Sequence, residues 1–174
     1  MSIAEIDTRA LNDRVTLDLS APWVAYWFAL VRVLVGYWML HAGLTKLLFG
    51  FSAQGYLEFA SQGAITEPIM QAFSSGMLLT FTEYAVGWGE FLIGLGLIVG
   101  ALVRLASFFG AFLMMFFYFT NHGWGHGMAN GELWGLLMFF TIALMGAGRL
   151  WGVDEYLENT EFVKRNSWTR YLLG

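Results

Sequence analysis

The feature that most constrains this chain is an acidic residue in the middle of a long apolar stretch. Glu90 lies within Thr82–Leu102, a glycine-rich run that is long enough to cross a bilayer. An ionised side chain at that depth costs roughly 2.5–3.5 kcal/mol or more on insertion scales, so it needs a partner. Arg32, in another apolar stretch, is a candidate partner. The sequence therefore predicts a membrane protein whose helices are joined by a buried pair of charges.

The composition supports insertion into a membrane. Hydrophobic residues make up 57% of the 174 residues and charged residues only 13%, against about 25% charged residues in soluble domains. The chain contains no cysteine, which excludes disulfides, thiolate metal sites and thiol catalysis. The net charge is −4 and there is no long basic run, so we expect membrane lipid and no nucleic acid among the partners.

Four apolar segments have the length of membrane-spanning helices, about 20 residues each. They are Trp23–Phe49, Thr82–Leu102, Leu105–Asn121 and Leu133–Leu150. Residues 50–81 are too polar and broken to cross, and Pro68 there favours a short surface helix over Ile69–Leu79. The predicted fold is an all-α membrane protein, a four-transmembrane-helix antiparallel bundle with a surface helix between helices 1 and 2.

Basic residues predict the orientation of these segments. Residues 51–81 and 121–131 contain no lysine or arginine, whereas the other connections and both flanks do. Because positive residues concentrate on the cytoplasmic side, we expect a multi-pass protein of the cell membrane with both termini cytoplasmic. Residues 1–21 and 154–174 are then polar cytoplasmic tails around a membrane domain at 22–153. The flanking basic residues are Arg9, Arg14, Arg104, Arg149, Lys164, Arg165 and Arg170.

Charged residues and glycines share helix faces in the first two spans. These faces carry Arg32, Gly36, Met39, Gly43 and Lys46 in the first span, and Glu83, Gly87, Glu90 and Gly94 in the second. Depths counted along the two helices predict an inner ion pair between Arg32 and Glu90. Near the outer boundary, Lys46 is expected to pair with Glu83 or Glu132. The alternative is that these pairs serve only to lock the helices together.

The three histidines are expected toward the outer side. His41 shares a helix face with Tyr37, away from the face of Arg32, and is either a packing residue or a proton carrier. His122 and His126 have the spacing of a metal-binding pair on a helix. The glycines around them disfavour a rigid helix, so we predict a loop with solvated histidines and no metal. The sequence leaves metal binding by these two residues open.

Charged residues and glycines follow one another in a distinctive order along the four spans. The first span reads RVLVGYWMLHAGLTKLLFG, the next two read EFLIGLGLIVGALVRLASFFGAFL, and the fourth closes with GELWGLLMFFTIALMGAGRLWGVDEYL. This order is similar to that of the DoxX/DoxD family of small four-helix membrane proteins, over about residues 27–156. The residues that carry the resemblance are Arg32, Gly36, His41, Gly43, Lys46, Glu90, Gly94, Arg104, Gly146, Gly148, Arg149 and Asp154.

The resemblance implies a quinone-linked redox role. Some family members form the small membrane subunit of an archaeal thiosulfate:quinone oxidoreductase, so oxidation of a small sulfur compound such as thiosulfate is one expectation. We expect Glu90, His41 and Lys46 to be the catalytic groups, which supply hydrogen bonds or protons to a bound quinone. The residues expected to contact the quinone are Tyr37, Gly43, Gly87 and Gly94. Those expected to form ion pairs or structural contacts are Arg32, Glu83, Glu132, Arg104, Arg149 and Asp154.

The sequence shows no electron carrier, because it lacks cysteine and any dinucleotide-binding motif. We therefore expect a partner subunit or a homo-oligomer. The alternative function is a non-catalytic membrane module that anchors or assembles a larger complex. A third possibility, transport of a small solute or protons, requires an oligomer because four short helices leave little room for alternating access. The electron donor and the type of quinone are left open.

Overall fold

The computed structural model describes residues 22–120 and 127–174, and in these ranges every regular element is a helix. Three helices are long and apolar enough to cross a membrane, and a fourth apolar helix is shorter. The prediction of an all-α membrane bundle is therefore confirmed. The helices are α1 (Pro22–Phe49), α2 (Glu67–Phe73), α3 (Gly76–Val99), α4 (Val103–Thr120), α5 (Gly131–Leu144), α6 (Val153–Leu157) and α7 (Glu161–Arg165). Short π or 3-10 helical turns cover Tyr56–Ala60, Ala147–Arg149 and Ser167–Tyr171.

Helices α1 and α3 pack so closely that their backbones touch. A Cβ atom added to Gly43 would collide with the backbone of Phe91, and one added to Gly94 would collide with the backbone of Leu40. The pairing of 43 with 91 and of 40 with 94 shows that the two helices run antiparallel. Glycines at a membrane helix interface allow this close approach, which compensates for the weak hydrophobic drive between helices in lipid.

The register of α1 on α3 determines what lies opposite each charged residue of α1. Arg32 is level with Gly100, just beyond the end of α3, where an added Cβ would lie 2.6 Å from Arg32 Nη1. Lys46 is level with Gly87, where an added Cβ would lie 3.8 Å from Lys46 Cβ. We call these two ends of the bundle the Arg32 end and the Lys46 end. The start of α1 and residues 147–174 both lie at the Arg32 end, where the rings of Tyr26 and Trp151 are 4.5 Å apart.

The hydrophobic core lies between α1, α3, α4 and α5. The ring of Phe139 on α5 packs directly on Gly110 of α4, where no side chain could be accommodated, and is fully buried. The core continues with Met39, Ile93, Leu97, Val103, Met114 and Ile142. A close-packed core of this kind holds α1 and α3 in one fixed register, on which the site described below depends.

The fourth predicted span, Leu133–Leu150, extends six residues past the end of the helix that forms there. Helix α5 has 14 residues and stops at Leu144. Gly146 has a φ of +60°, a left-handed conformation that ends the helix, and the chain then forms the 3-10 turn Ala147–Arg149. At 1.5 Å per residue α5 is about 21 Å long, which is shorter than a bilayer core of about 30 Å.

Residues 50–75 cover the Lys46 end of the bundle. Pro68 lies in the first turn of a short helix, as predicted, but that helix is Glu67–Phe73 rather than Ile69–Leu79. It ends early because α3 already begins at Gly76, ahead of the predicted start at Thr82. A small second core joins this segment to the bundle through Ala53, Leu57 and Met70, packed against Phe51, Phe73, Leu79 and Phe116.

Residues 154–174, which the sequence predicts as a juxtamembrane tail, pack against the turn between α3 and α4. The carboxylate of Asp154 accepts hydrogen bonds from the amides of Leu102 at 2.7 Å, Val103 at 2.9 Å and Gly174 at 2.9 Å. The Leu105 amide donates to the Leu172 carbonyl at 3.2 Å. The predicted N-terminal tail, residues 1–21 with Arg9 and Arg14, lies outside the described residues.

Candidate functional site

Among the described residues, an ion pair joins Lys46 of α1 to Glu90 of α3. Lys46 Nζ lies 2.5 Å from Glu90 Oε2, and the two side chains are 24% and 6% exposed. Glu90 comes within reach because Gly43, one turn before Lys46, lets the backbone at Glu90 and Phe91 touch α1. Two oppositely charged groups at this separation attract each other, and this attraction offsets the free energy lost when both groups are removed from water.

The ammonium group of Lys46 is held at several points. It lies 3.5 Å from the carbonyl of Ala42 and 5.4 Å from the ring centroid of Phe51. A cation over an aromatic face gains an electrostatic attraction that grows as water is excluded. The head group of Lys46 is therefore positioned between the carboxylate of Glu90 and the aromatic ring.

The predicted ion pair between Arg32 and Glu90 is wrong. Arg32 is 2% exposed, and its guanidinium donates hydrogen bonds to the carbonyls of Ala147 at 2.6 Å and Trp151 at 3.4 Å. The prediction measured both depths from a common membrane boundary. The first turns of α1 instead continue past the end of α3 and pack beside residues 147–154, so Arg32 and Glu90 lie at different levels.

The predicted pairing of Lys46 with Glu83 or Glu132 is also wrong. Lys46 is already paired with Glu90, and Glu83 Oε1 accepts a hydrogen bond from the Ala53 amide at 3.0 Å. Glu132 acts on Tyr56 instead: burial, together with the negative charge of Glu132, raises the pKa of Tyr56 to about 12. Glu83 and Glu132, the two acids predicted to pair with Lys46, therefore interact with residues of segment 50–75 instead.

A pocket of about 330 Å³ opens beside Lys46 at the Lys46 end of the bundle. It is at the small end of the range of about 300–1,000 Å³ that is typical of ligand sites. Glu90 does not line the pocket but lies directly behind Lys46, so a ligand would meet the ammonium group first. The lining residues are Lys46, Leu47, Gly50, Phe51, Thr80, Glu83, Tyr84 and Gly87.

Comparison with known proteins assigns the chain to a family. The sequence matches the DoxX family over residues 27–123. The chain belongs to the DoxX family. No curated protein matches the sequence, and no solved structure matches it. The matched residues of this DoxX protein include Lys46, Glu90 and every residue that lines the pocket, and they end before α5.

The structure brings together only part of the site that the sequence predicts for this DoxX protein. Lys46, Glu83 and Gly87 line the pocket, and Glu90 contacts Lys46 without lining it. Gly43 and Gly94 were expected to admit a quinone ring, and this expectation is wrong because the backbones of α1 and α3 already fill the space beside them.

Tyr37 and His41 lie apart from this site. Their ring centroids are 6.0 Å apart, and both side chains are exposed on the outward face of α1. His41 is more than a turn from Lys46 and points to a different side, because five residues correspond to a rotation of about 140°. The geometry therefore gives no contact between His41 and the Lys46–Glu90 pair.

Five residues of the pocket are absent from the predicted site: Leu47, Gly50, Phe51, Thr80 and Tyr84. Thr80 and Tyr84 could have been found, because they precede Gly87 by seven and three residues and so share its helix face. Phe51 could not, because it arrives through a turn at Gly50, whose φ is +77°.

The other charged residues of the predicted set have separate structural contacts. Arg149 Nε lies 2.7 Å from Glu158 Oε1, and Arg104 Nε donates to the Ala143 carbonyl at 3.3 Å. Asp154 binds backbone amides, as described above. His122 and His126 lie outside the described residues. Within residues 22–120 and 127–174, no three potential ligands are grouped to hold a metal ion.

Proposed function

We propose that this DoxX protein is the membrane subunit of a quinone-linked oxidoreductase and that the quinone head group binds in the pocket beside Lys46. The observation that carries the proposal is a pocket within the family-matched region that is lined by Lys46, whose ammonium group is paired with Glu90. Ionisable groups kept within a membrane bundle mark functional sites by default.

The donors in this pocket suit a carbonyl ligand. A protonated lysine has three N–H donors, and Lys46 directs one to Glu90 and one toward the Ala42 carbonyl. The third is available to a quinone carbonyl in the pocket. Leu47, Phe51 and Tyr84 supply apolar and aromatic walls for a ring. Small-molecule sites combine apolar and aromatic walls with placed polar groups, and residues of both kinds line this pocket.

The residues of the site also suit proton delivery. A bound quinone takes up two electrons and two protons when it is reduced to the quinol. In the proposal, Lys46 donates a proton to the carbonyl oxygen that it binds. Glu90 takes up a proton from bulk water and passes it to the neutral lysine, which restores the ion pair. Glu83, on the wall of the pocket, offers a second carboxylate at the open end. General acids positioned in this way contribute about 10²–10⁴-fold to rate.

Electrons have to come from another component, because this chain contains no cysteine and no recognisable dinucleotide motif. We assign this role to the redox group of a partner subunit, with a reduced sulfur compound such as thiosulfate as one candidate primary donor.

Blocking the pocket without disturbing the ion pair tests the proposal. Thr80→Phe places a ring in the pocket, whereas Met77→Phe adds the same ring at a position of α3 that is 87% exposed. Binding of a short-chain quinone, followed by tryptophan fluorescence, should be lost in Thr80→Phe and kept in Met77→Phe. Equal binding by both variants, or no binding by the unaltered protein, contradicts the proposal.

The close packing of α1 on α3 favours one alternative, a non-catalytic module that anchors a larger complex. In that role the Lys46–Glu90 pair would only fix the two helices in register. The two functions differ in one observable, because an anchor stabilises its complex without binding quinone. Purification from native membranes with partners, followed by extraction of bound quinone, separates them.

A further inference from the structure

A second pocket, of about 250 Å³, runs along the outward side of α4 and α5. Its walls are mainly aromatic, with Phe108, Phe112 and Phe140 each more than half exposed. Arg104, at the start of α4, lies where the groove reaches the Arg32 end of the bundle. Ser107 follows one turn further along α4. This groove is separate from the Lys46 pocket, which lies between α1 and α3.

Among the described residues, one polar group of the groove is buried without a hydrogen-bond partner, and one charged group has no counter-charge. Ser107 is 1% exposed, and its hydroxyl has no hydrogen-bond partner among the described residues. A helical serine commonly bonds to the carbonyl four residues earlier, so a buried hydroxyl without any bond calls for a partner from outside the chain. Arg104 uses Nε for the Ala143 carbonyl, and within the described residues no acid lies in salt-bridge range of its two terminal nitrogens.

We propose that this groove binds an anionic phospholipid. Polarity falls along the groove in the order found along such a lipid: the cation Arg104, then the hydroxyl donor Ser107, then the apolar wall that ends at Met115. These residues share one face of α4 and span about 16 Å. The lipid phosphate meets the terminal nitrogens of Arg104, a glycerol-ester carbonyl accepts the Ser107 hydrogen, and the acyl chain lies along Phe108, Phe112 and Met115.

Charge complementarity selects a net-negative lipid over a zwitterionic one. A guanidinium group binds phosphate through two parallel N–H donors, and its charge persists at every physiological pH. In a zwitterionic lipid a choline group partly offsets the phosphate charge beside Arg104, whereas in phosphatidylglycerol no cation does so. The proposal does not depend on the quinone site, because none of its residues lines the Lys46 pocket.

The test compares two lipids with identical acyl chains. Phosphatidylglycerol or phosphatidylcholine is added to the delipidated full-length protein in detergent, and the shift in Tm gives the affinity of each. The unaltered protein should bind phosphatidylglycerol at least tenfold more tightly. Arg104→Gln should abolish this preference. Arg170→Gln, which removes an exposed charge at the same end but away from the groove, should keep it.

Ser107→Ala provides a second readout that holds even if Arg104→Gln does not fold. Loss of one hydrogen bond, at about 1 kcal/mol, should lower the affinity for each lipid about fivefold. The ratio of the two affinities should not change. Equal binding of the two lipids by the unaltered protein, or a preference that persists in Arg104→Gln, overturns the proposal. Displacement of both lipids by a short-chain quinone also overturns it and assigns the groove to quinone.

Discussion

Lys46 Nζ contacts Glu90 Oε2 at 2.5 Å across an interface where α1 and α3 touch through their glycines. The contact and the packing depend on each other. Gly43 and Gly94 bring the two backbones together, and this approach places the ammonium group beside a carboxylate that would otherwise be uncompensated in the bundle. The candidate quinone pocket opens on the lysine side of this pair.

Removing one partner of the pair should destabilise the protein strongly. Lys46→Met leaves Glu90 without a counter-charge, and breaking a buried pair in this way typically costs about 3–5 kcal/mol. The double variant Lys46→Met/Glu90→Leu should recover most of this loss, because no charge remains. The measurement is the free energy of unfolding in bicelles.

The exposed pair Arg149–Glu158 is the matched control for that experiment. Surface pairs of this kind contribute about 0–1 kcal/mol, so Arg149→Met should change the free energy of unfolding little. If the double variant of the buried pair is no more stable than Lys46→Met alone, the two residues do not interact as described.

Glu90→Gln should keep quinone binding but reduce quinone-linked turnover in the assembled complex. Glutamine retains a hydrogen-bond acceptor for Lys46, yet it cannot transfer a proton, so the expected loss is about 10²–10⁴-fold. Glu155→Gln removes an exposed acid and should leave turnover unchanged. Wild-type turnover in Glu90→Gln would exclude Glu90 from proton delivery and favour the anchoring function.

Two glycines of α3 should respond in opposite ways to alanine. At Gly94 an added methyl group collides with the backbone of Leu40, so Gly94→Ala should cost about 1–3 kcal/mol. At Gly89 nothing lies within 4 Å of the added atom, and alanine should stabilise the helix by about 0.5–1 kcal/mol. Thermal unfolding of both variants measures the difference. A loss of stability in Gly89→Ala that matched the loss in Gly94→Ala would contradict the described packing.

Asp154→Asn should loosen residues 153–174 from the bundle. The carboxylate accepts three amide hydrogen bonds, from Leu102, Val103 and Gly174, and charged acceptors form the stronger bonds. Cleavage by trypsin after Lys164 or Arg165 should therefore become faster. Glu155→Gln should be cleaved at the original rate, and an unchanged rate in Asp154→Asn would show that these bonds do not hold the segment.

The apolar runs of the sequence were sufficient to predict three long apolar helices and a fourth apolar helix, which is shorter than its predicted span. They also showed that Glu90 needs a buried partner, since any acid in such a run does. The identity of the partner was not predictable in the same way. It depends on the register of α1 along α3. That register follows from which backbone each glycine contacts, as Gly43 contacts Phe91, rather than from composition.

The pocket illustrates a second limit of sequence analysis. Its α3 wall, Thr80 and Tyr84, follows from helical periodicity, which is a local property. Its remaining wall depends on residues 50–75 folding back over the bundle, a long-range contact that no local pattern encodes. The same reason explains Asp154, whose hydrogen bonds to Leu102 and Val103 join segments that are distant in sequence.

Mapping a photoreactive short-chain quinone on the protein by mass spectrometry tests the central claim most directly. The account predicts labelling of residues 46–51 and 80–87, with loss of the label in Thr80→Phe. Labelling confined to Phe108–Met115 of α4, or the same label with and without the Thr80→Phe substitution, would contradict a quinone site at the Lys46–Glu90 pair.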